Sequence, residues 1–190
     1  MFLLKYLEEF HKEYPNVAIQ VFTDPSRIMK KMLKEGTIDI LIAKDHEDNI
    51  SDLDIHYLGD LHQCFIASDA FKELKNKTIP LKDLEDYPLL FQKYPSTTRY
   101  AFDRFCENYN IKMTSKIEIA SSSLLEDFVK IGLGIGLVTK EYALKEINDG
   151  SIFEVKTDPK LDGNTFSMYT KKNSFHSFAA NELINMILKK

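Results

Sequence analysis

The chain has 190 residues, 44% of them hydrophobic and 28% charged, with a formal net charge of −4. That is the profile of a globular chain with room for one large domain or two small lobes, and the negative balance argues against this chain gripping nucleic acid by itself. The two cysteines, Cys64 and Cys106, are too few and too far apart for a disulfide framework and fit a reducing cytoplasm; no apolar run nears membrane-spanning length.

The opening "MFLLKYLEEFHKEYP" is broken early by Lys5, Glu8 and Glu9 and has no small-residue cleavage site, so it reads as a helix and not as a secretion signal. Phe2, Leu3, Tyr6, Leu7, Phe10 and Tyr14 share one helical face, and Pro15 and Asn16 end it. "VAIQVFT" (17–23) alternates apolar with small or polar residues and predicts a strand. "DPSRIMKKMLKEG" (24–36) predicts a helix with an Asp24 cap, Pro25 at its first position and Gly36 at its end. "IDILIA" (38–43) predicts a strand covered on both faces. Helix, strand, helix, strand implies an α/β lobe with a parallel sheet. "HYLGDLHQCFIAS" (56–68) predicts one or two further strands, and "DAFKELKNK" a short helix.

The pattern restarts near residue 80. Strands are expected at "YPLLFQ" (87–92), "KIEIA" (116–120), "IGLVT" (135–139), "SIFEVK" and "TFSMYTK". Helices are expected at "PSTTRYAFDRFCENYN" (95–110), with Phe102, Phe105, Cys106 and Tyr109 inward, at "SSSLLEDFVKIG", with Ser123 and Glu126 spaced as a capping box, and at "KEYALKEIND", closed by Gly150. A last helix, about 174–188, should turn Phe175, Phe178, Leu183, Met186 and Ile187 inward. The fold class is therefore α/β, with two Rossmann-like lobes joined by two crossover strands. Lobe I takes residues 1–67 and 170–190, lobe II residues 68–169, and a cleft between them could open and close about a hinge.

Gly132, Gly134 and Gly136 in "IGLGIGLVTK" do not form a dinucleotide fingerprint. Such glycines follow a strand and open a helix. Here the helix comes first and the strand follows, with no Walker-type Lys-Ser/Thr pair. Gly132 or Gly134 suits a left-handed helix stop, and Gly136 a close approach in a strand.

Three stretches carry the resemblance to a known family: "FLLKYLEEFHKEYPNVAIQVF", "MKKMLKEGTIDILIA" and "IEIASSSLLEDFVKIGLGIGLVTKEYA". In order and spacing they resemble the effector-binding domain of LysR-type transcriptional regulators, over roughly residues 2–188. The resemblance implies a type 2 periplasmic-binding-protein-like fold, with the first strand of lobe one missing. It implies a small effector between the lobes, and DNA binding only through an N-terminal winged helix-turn-helix that this sequence lacks. It also implies a homodimer through helices 2–14 and 123–131, packed antiparallel about a two-fold axis, a tetramer at full length, and a cytoplasmic regulator that is not an enzyme.

Ligands of open parallel sheets gather beyond the carboxyl ends of strands. Three such ends run into helix starts, which offer free amides and partial positive charge. They are Thr23-Asp24-Pro25-Ser26, Pro95-Ser96-Thr97-Thr98-Arg99 and Ala120-Ser121-Ser122-Ser123. Thr23, Ser26, Ser96, Thr97, Thr98, Ser121 and Ser122 are the candidate hydroxyl contacts, and Arg99 can grip a carboxylate, phosphate or sulfate in two bonds. Family members often carry a Ser-Gly-Thr-Arg-like turn at the second end; Thr97 stands where the glycine would be. The plainer reading makes these hydroxyls helix caps. Val138 and Thr139 end another strand and line either a cleft or a sheet edge. Asp24 would repel an anion, so it caps its helix or meets an amine.

His56, His62 and Cys64 make no tight cluster, so no metal is expected; no cofactor motif appears, and Cys64 and Cys106 read as small buried residues. Hydroxyls without a placed base make no nucleophile. A small, anionic effector of a regulator is the leading reading. A transporter's solute-binding protein, which shares the fold, and a small α/β enzyme remain as alternatives.

Overall fold

The computed structural model describes residues 2–24, 26–44 and 51–189. The chain divides into two units, Met1–Asp60 with Thr165–Lys190, and Leu61–Asn164. Both crossings fall earlier in the chain than the residue pattern suggested. The reason is that "LDIHYLGDLHQCFIA" is a single strand, β2 (Leu53–Ala67), whose last residues already ladder with the second unit.

In the first unit, α1 (Phe2–Glu13) buries Tyr6 and Phe10 and packs on α6 (Phe178–Leu188). α2 (Ser26–Glu35) buries Met29 and Leu33 against β1 (Leu41–Lys44). β1 pairs antiparallel with β8 (Gly163–Lys171), Leu41 opposite Tyr169. The parallel pair expected here does not form among the described residues. Residues 17–23 are not a strand: they have no ladder partner among the described residues, and Ile19, Val21 and Phe22 stand exposed. A strand needs a neighbour to take its N–H and C=O groups, and alternation alone supplies none. Pro25, the expected first helical position of α2, lies outside the described residues.

Two further expectations fail on helix phase. Phe175 precedes α6 and is fully exposed, and Phe178 opens α6 at 71% exposure; Leu183, Met186 and Ile187 do turn inward. Both phenylalanines sit at or before the helix start, where the apolar stripe has not yet reached the core.

The second unit carries the larger sheet. β6 (Ile135–Thr139) lies between β2, antiparallel, and β4 (Leu89–Gln92), parallel; β5 (Ile117–Ile119) runs parallel beyond β4. The far end of β2 also pairs with β7 (Phe153–Asp158), and β3 (Thr78–Pro80) runs parallel to β7. Short 3-10 turns occupy Asp69–Leu74 and Leu81–Asp86, where the sequence suggested a helix only for the first. α3 (Thr97–Asn108), α4 (Ser122–Lys130) and α5 (Lys140–Asn148) pack on the sheet. α3 buries Phe102, Phe105 and Cys106, but Tyr109, its C-cap, is 52% exposed.

α4 ends as the glycine reading requires. Gly132 has φ of +80°, and the N–H groups of Gly132 and Leu133 donate to the carbonyls of Val129 and Phe128 at 2.9 and 3.1 Å. This is the paired C-terminal bonding that a left-handed glycine closes. Gly136 faces α4: a Cβ there would lie 2.6 Å from Leu125 and 2.7 Å from Val129.

Candidate functional site

The C-terminal ends of β4 and β6 and the opening turns of three helices meet at one pocket in the second unit. It is a shallow, partly open pocket, with about 290 Å³ of empty space including its open mouth. Buried Leu125, Leu137 and Val138 form its apolar wall, with buried Thr98 and Thr139 beside them. Gln92, Ser122, Glu126 and Tyr142 lie nearer solvent.

Chain order explains the convergence. A parallel strand delivers its last residue to the same sheet edge as its neighbour, and the following helix starts there. Thr98 is the second residue of α3, Ser122 the first of α4, and Thr139 the residue before α5, whose third residue is Tyr142. Each first turn has amides without intrahelical partners and about half a positive charge. The Thr98 and Thr139 hydroxyls lie 3.3 Å apart, and Gln63 Nε2 donates to the Thr98 carbonyl at 3.0 Å, fixing α3 to β2.

Of the residues expected from the sequence, Thr98, Ser122, Val138 and Thr139 line this pocket. Ser96 and Ser121 do not; both are helix caps. Ser96 Oγ accepts from the Arg99 N–H at 3.3 Å and donates to Gln92 Oε1 at 2.7 Å. Ser121 Oγ accepts from the Leu124 N–H at 3.3 Å and lies 2.9 Å from Ser123 Oγ. The cap is thus Ser121, and the capping box expected from Ser123 and Glu126 is two residues out of place. Thr97, partly buried, opens α3 outside the pocket lining. Thr23 and Ser26 belong to the first unit, Thr23 exposed and Ser26 opening α2.

Arg99 is committed elsewhere. Its Nε donates to both oxygens of Asp103 at 2.9 and 3.0 Å, and its Nη1 to Glu118 Oε1 at 2.9 Å. The side chain is 12% exposed, with its guanidinium carbon 4.9 Å from the Phe91 ring centre and 5.3 Å from that of Tyr94. Burial works against its charge, but the bonds to Glu118 and Asp103 outweigh it and hold the guanidinium above its ordinary value. In turn Arg99 and Ser115 hold the Glu118 carboxyl below the usual range. Two carboxylates already occupy the fork expected to grip an anion.

Five lining residues, Gln92, Leu125, Glu126, Leu137 and Tyr142, went unread in the sequence. Leu125 and Glu126 stand three and four residues after Ser122, on one helix face, and Tyr142 stands three after Thr139. Gln92 ends β4. Glu126 makes no hydrogen bond to any described residue. Burial pushes its carboxyl above the usual range, and Glu146 adds to the shift. Burial likewise pushes the Tyr142 phenol up, with Glu141 reinforcing it.

His62 Nδ1 lies 2.8 Å from Glu141 Oε1, and no three His, Cys, Asp or Glu side chains among the described residues could hold a metal together. Cys64 and Cys106 are buried free thiols, each pushed up to about 12 by desolvation. No helix among the described residues is long and apolar enough to cross a membrane.

Two α/β units joined by long shared strands make the periplasmic-binding-protein-like two-lobe fold. The LysR substrate binding domain family matches residues 1–190, and the chain belongs to that family. It is 28% identical over 172 residues to the HTH-type transcriptional activator CmpR of Synechocystis sp., covering 90% of this chain and 56% of that protein. It is 22% identical to the RuBisCO operon transcriptional regulator of Acidithiobacillus ferrooxidans, covering 88% of this chain and 54% of that one. The chain thus spans about half the length of the curated relatives it matches. Among solved structures, the Synechocystis PCC6803 CcmR regulatory domain in complex with 2-PG aligns at a TM-score of 0.85 and 16% identity, over 98% of this chain and 89% of that one. The effector-binding domain of QuiR in complex with shikimate aligns at 0.78 and 18% identity, over 97% and 87%.

Proposed function

We propose that this chain is the ligand-sensing domain of a cytoplasmic LysR-type transcriptional regulator, and that the second-unit pocket binds a small acid. The observation that carries the reading is the meeting of three helix starts, with the hydroxyls of Thr98, Ser122 and Thr139, at one pocket. Helix starts stabilise negative charge, and hydroxyls beside them complete an anion's hydrogen bonds. Regulators of this family and two relatives in complex with small ligands support it. Arg99 has no part in the grip; amides and hydroxyls replace it.

Sensing requires no bond-making. A ligand that favours one arrangement of a domain over another shifts the population between them. In this proposal the readout is a winged helix-turn-helix in a longer chain. The domain pairs through α1 and α4, where Leu4 is 57% exposed, Leu124 44% and Ile131, the C-cap of α4, 71%, and the full-length protein forms a tetramer.

Thermal-shift measurements with small carboxylates and phosphate esters test the pocket. An acid that binds raises Tm, by the equivalent of about 2.7 kcal/mol at a hundredfold excess over Kd. Ser122→Ala and Thr139→Val should each weaken that response, whereas a response equal to wild type in both variants removes the pocket from the reading.

A further inference from the structure

The pocket has a second chemical character that an acid alone leaves unanswered. Glu126 lies in its wall, partly buried, and accepts no hydrogen bond from any described residue. A carboxylate there, beside buried Leu125 and Val129, is poorly solvated, and burial and Glu146 outweigh the one counter-charge that acts on it, Lys130. That cation is shared: Lys130 Nζ lies 3.3 Å from Asp127 Oδ1 and 3.6 Å from Glu146 Oε1 and makes no hydrogen bond to Glu126. The other groups around Glu126 deepen its deficit. Asp127 on α4 and Glu146 on α5 are acidic, Tyr142 on α5 is a neutral phenol beside Glu141, and Gln92, Thr98 and Thr139 carry no charge.

We propose that the effector carries a protonated amine as well as an acid group, and that Glu126 recognises the amine. This rests on the reading of the pocket as an acid site. The helix starts take the carboxylate, and Glu126 takes the ammonium. The class that carries both charges on a small skeleton is a zwitterion of the amino-acid type, and one pocket lined by both features would meet both charges. A simple dicarboxylate or phosphate ester would set its second negative charge against Glu126, so the same residue selects against such ligands.

The ammonium pairs with the ionised carboxylate. Burial raises the proton affinity of Glu126 in the free protein, so binding at acid pH must first remove a proton. Affinity therefore rises with pH through the titration of Glu126 and then levels off.

The test measures binding of the common L-amino acids and their desamino counterparts, such as alanine against propionate and aspartate against succinate. Wild type, E126Q and T139V are compared by thermal shift and calorimetry. An amino acid should bind wild type more tightly than its desamino partner. E126Q should lose about tenfold or more for the amino acid, the scale of a charge-assisted bond, and little for the desamino acid. The rise of affinity with pH should flatten in E126Q. If desamino acids bind wild type as well as amino acids do, and T139V weakens both, the acid site stands and the amine contact is overturned. Where neither class stabilises any of the three proteins, the acid site fails and the amine contact falls with it. The wild-type pH profile decides the matter independently of how well E126Q folds.

Discussion

The two units treat similar sequence in opposite ways. "IGLVT" in the second unit has β2 on one side and β4 on the other, and all five residues are buried. "VAIQVFT" in the first has comparable β-branched content but no ladder partner among the described residues, and Val21 is 66% exposed. β propensity describes a fit to a pleated, half-buried surface, so the same residues become a strand only where neighbours supply that surface. The contrast extends to the core. The second unit buries two apolar clusters around its sheet, including Phe65, Phe91 and Phe102, while the clusters of the first are smaller.

The largest expected effect lies at Phe102. It is wholly buried, with its ring centre 5.5 Å from that of Phe65 and 5.3 Å from that of Phe91. Phe102→Ala should cost about 3–5 kcal/mol in urea unfolding. Cys64 and Cys106, both in this unit, report on it directly. Buried and pushed up to about 12, they should resist thiol reagents in the native protein and label faster in the variant. A loss below about 1 kcal/mol would erase the contrast between the units.

Glycine substitutions sharpen it. Gly36 in the first unit and Gly132 in the second have φ of +76° and +80°. Around Gly36 a methyl would meet nothing within 4 Å, whereas at Gly132 it would lie 2.9 Å from the Ala70 Cβ. Gly36→Ala should cost about 1 kcal/mol from the backbone alone. Gly132→Ala should cost more, and equal values would show that Ala70 yields freely.

A smaller effect is expected at Glu118. Its carboxyl is held low by Arg99, so its contribution is present above the ordinary carboxylate range and is lost as pH falls through its lowered value. Glu118 is 43% exposed, which limits the gain to about 0–1 kcal/mol. The difference between wild type and Glu118→Gln should shrink as pH falls through the acid range; a constant difference would argue against the pairing. The smallest change belongs to Val21→Ser, within about 0.5 kcal/mol, because no packing is lost. A large loss there would mean that the segment has a partner after all.

Much of the second unit was legible in the sequence. Apolar periodicity placed α3 and α4, and the three glycines marked a helix stop because helix preceded strand. The site was half legible. Strand ends running into hydroxyl-rich helix starts pointed to Thr98 and Ser122, since that junction follows from chain order, and the end of a further strand pointed to Val138 and Thr139. The pairing of Arg99 was only partly legible, because Asp103 stands four residues on, a visible pairing distance, but Glu118 arrives only when β5 comes alongside β4. Glu126 was hidden by a wrong cap. Once Ser121 is taken as the cap, Ser122 and Glu126 share a helix face; with Ser123 as the cap, Glu126 is spent on the helix end. Strand 17–23, Tyr109, Phe175 and Phe178 failed for a common reason, that local pattern does not report which neighbours are present.

Gly136 has no side chain, and that lets α4, which carries pocket residues Ser122, Leu125 and Glu126, lie close on β6. Leu125 and Val129 of α4 rest where its Cβ would be, so the helix lies flush on β6. One added methyl would act as a shim beneath α4, lifting its opening turn, and Ser122 and Glu126 with it, away from Thr139. The spacing of this candidate pocket therefore depends on an atom that the chain omits.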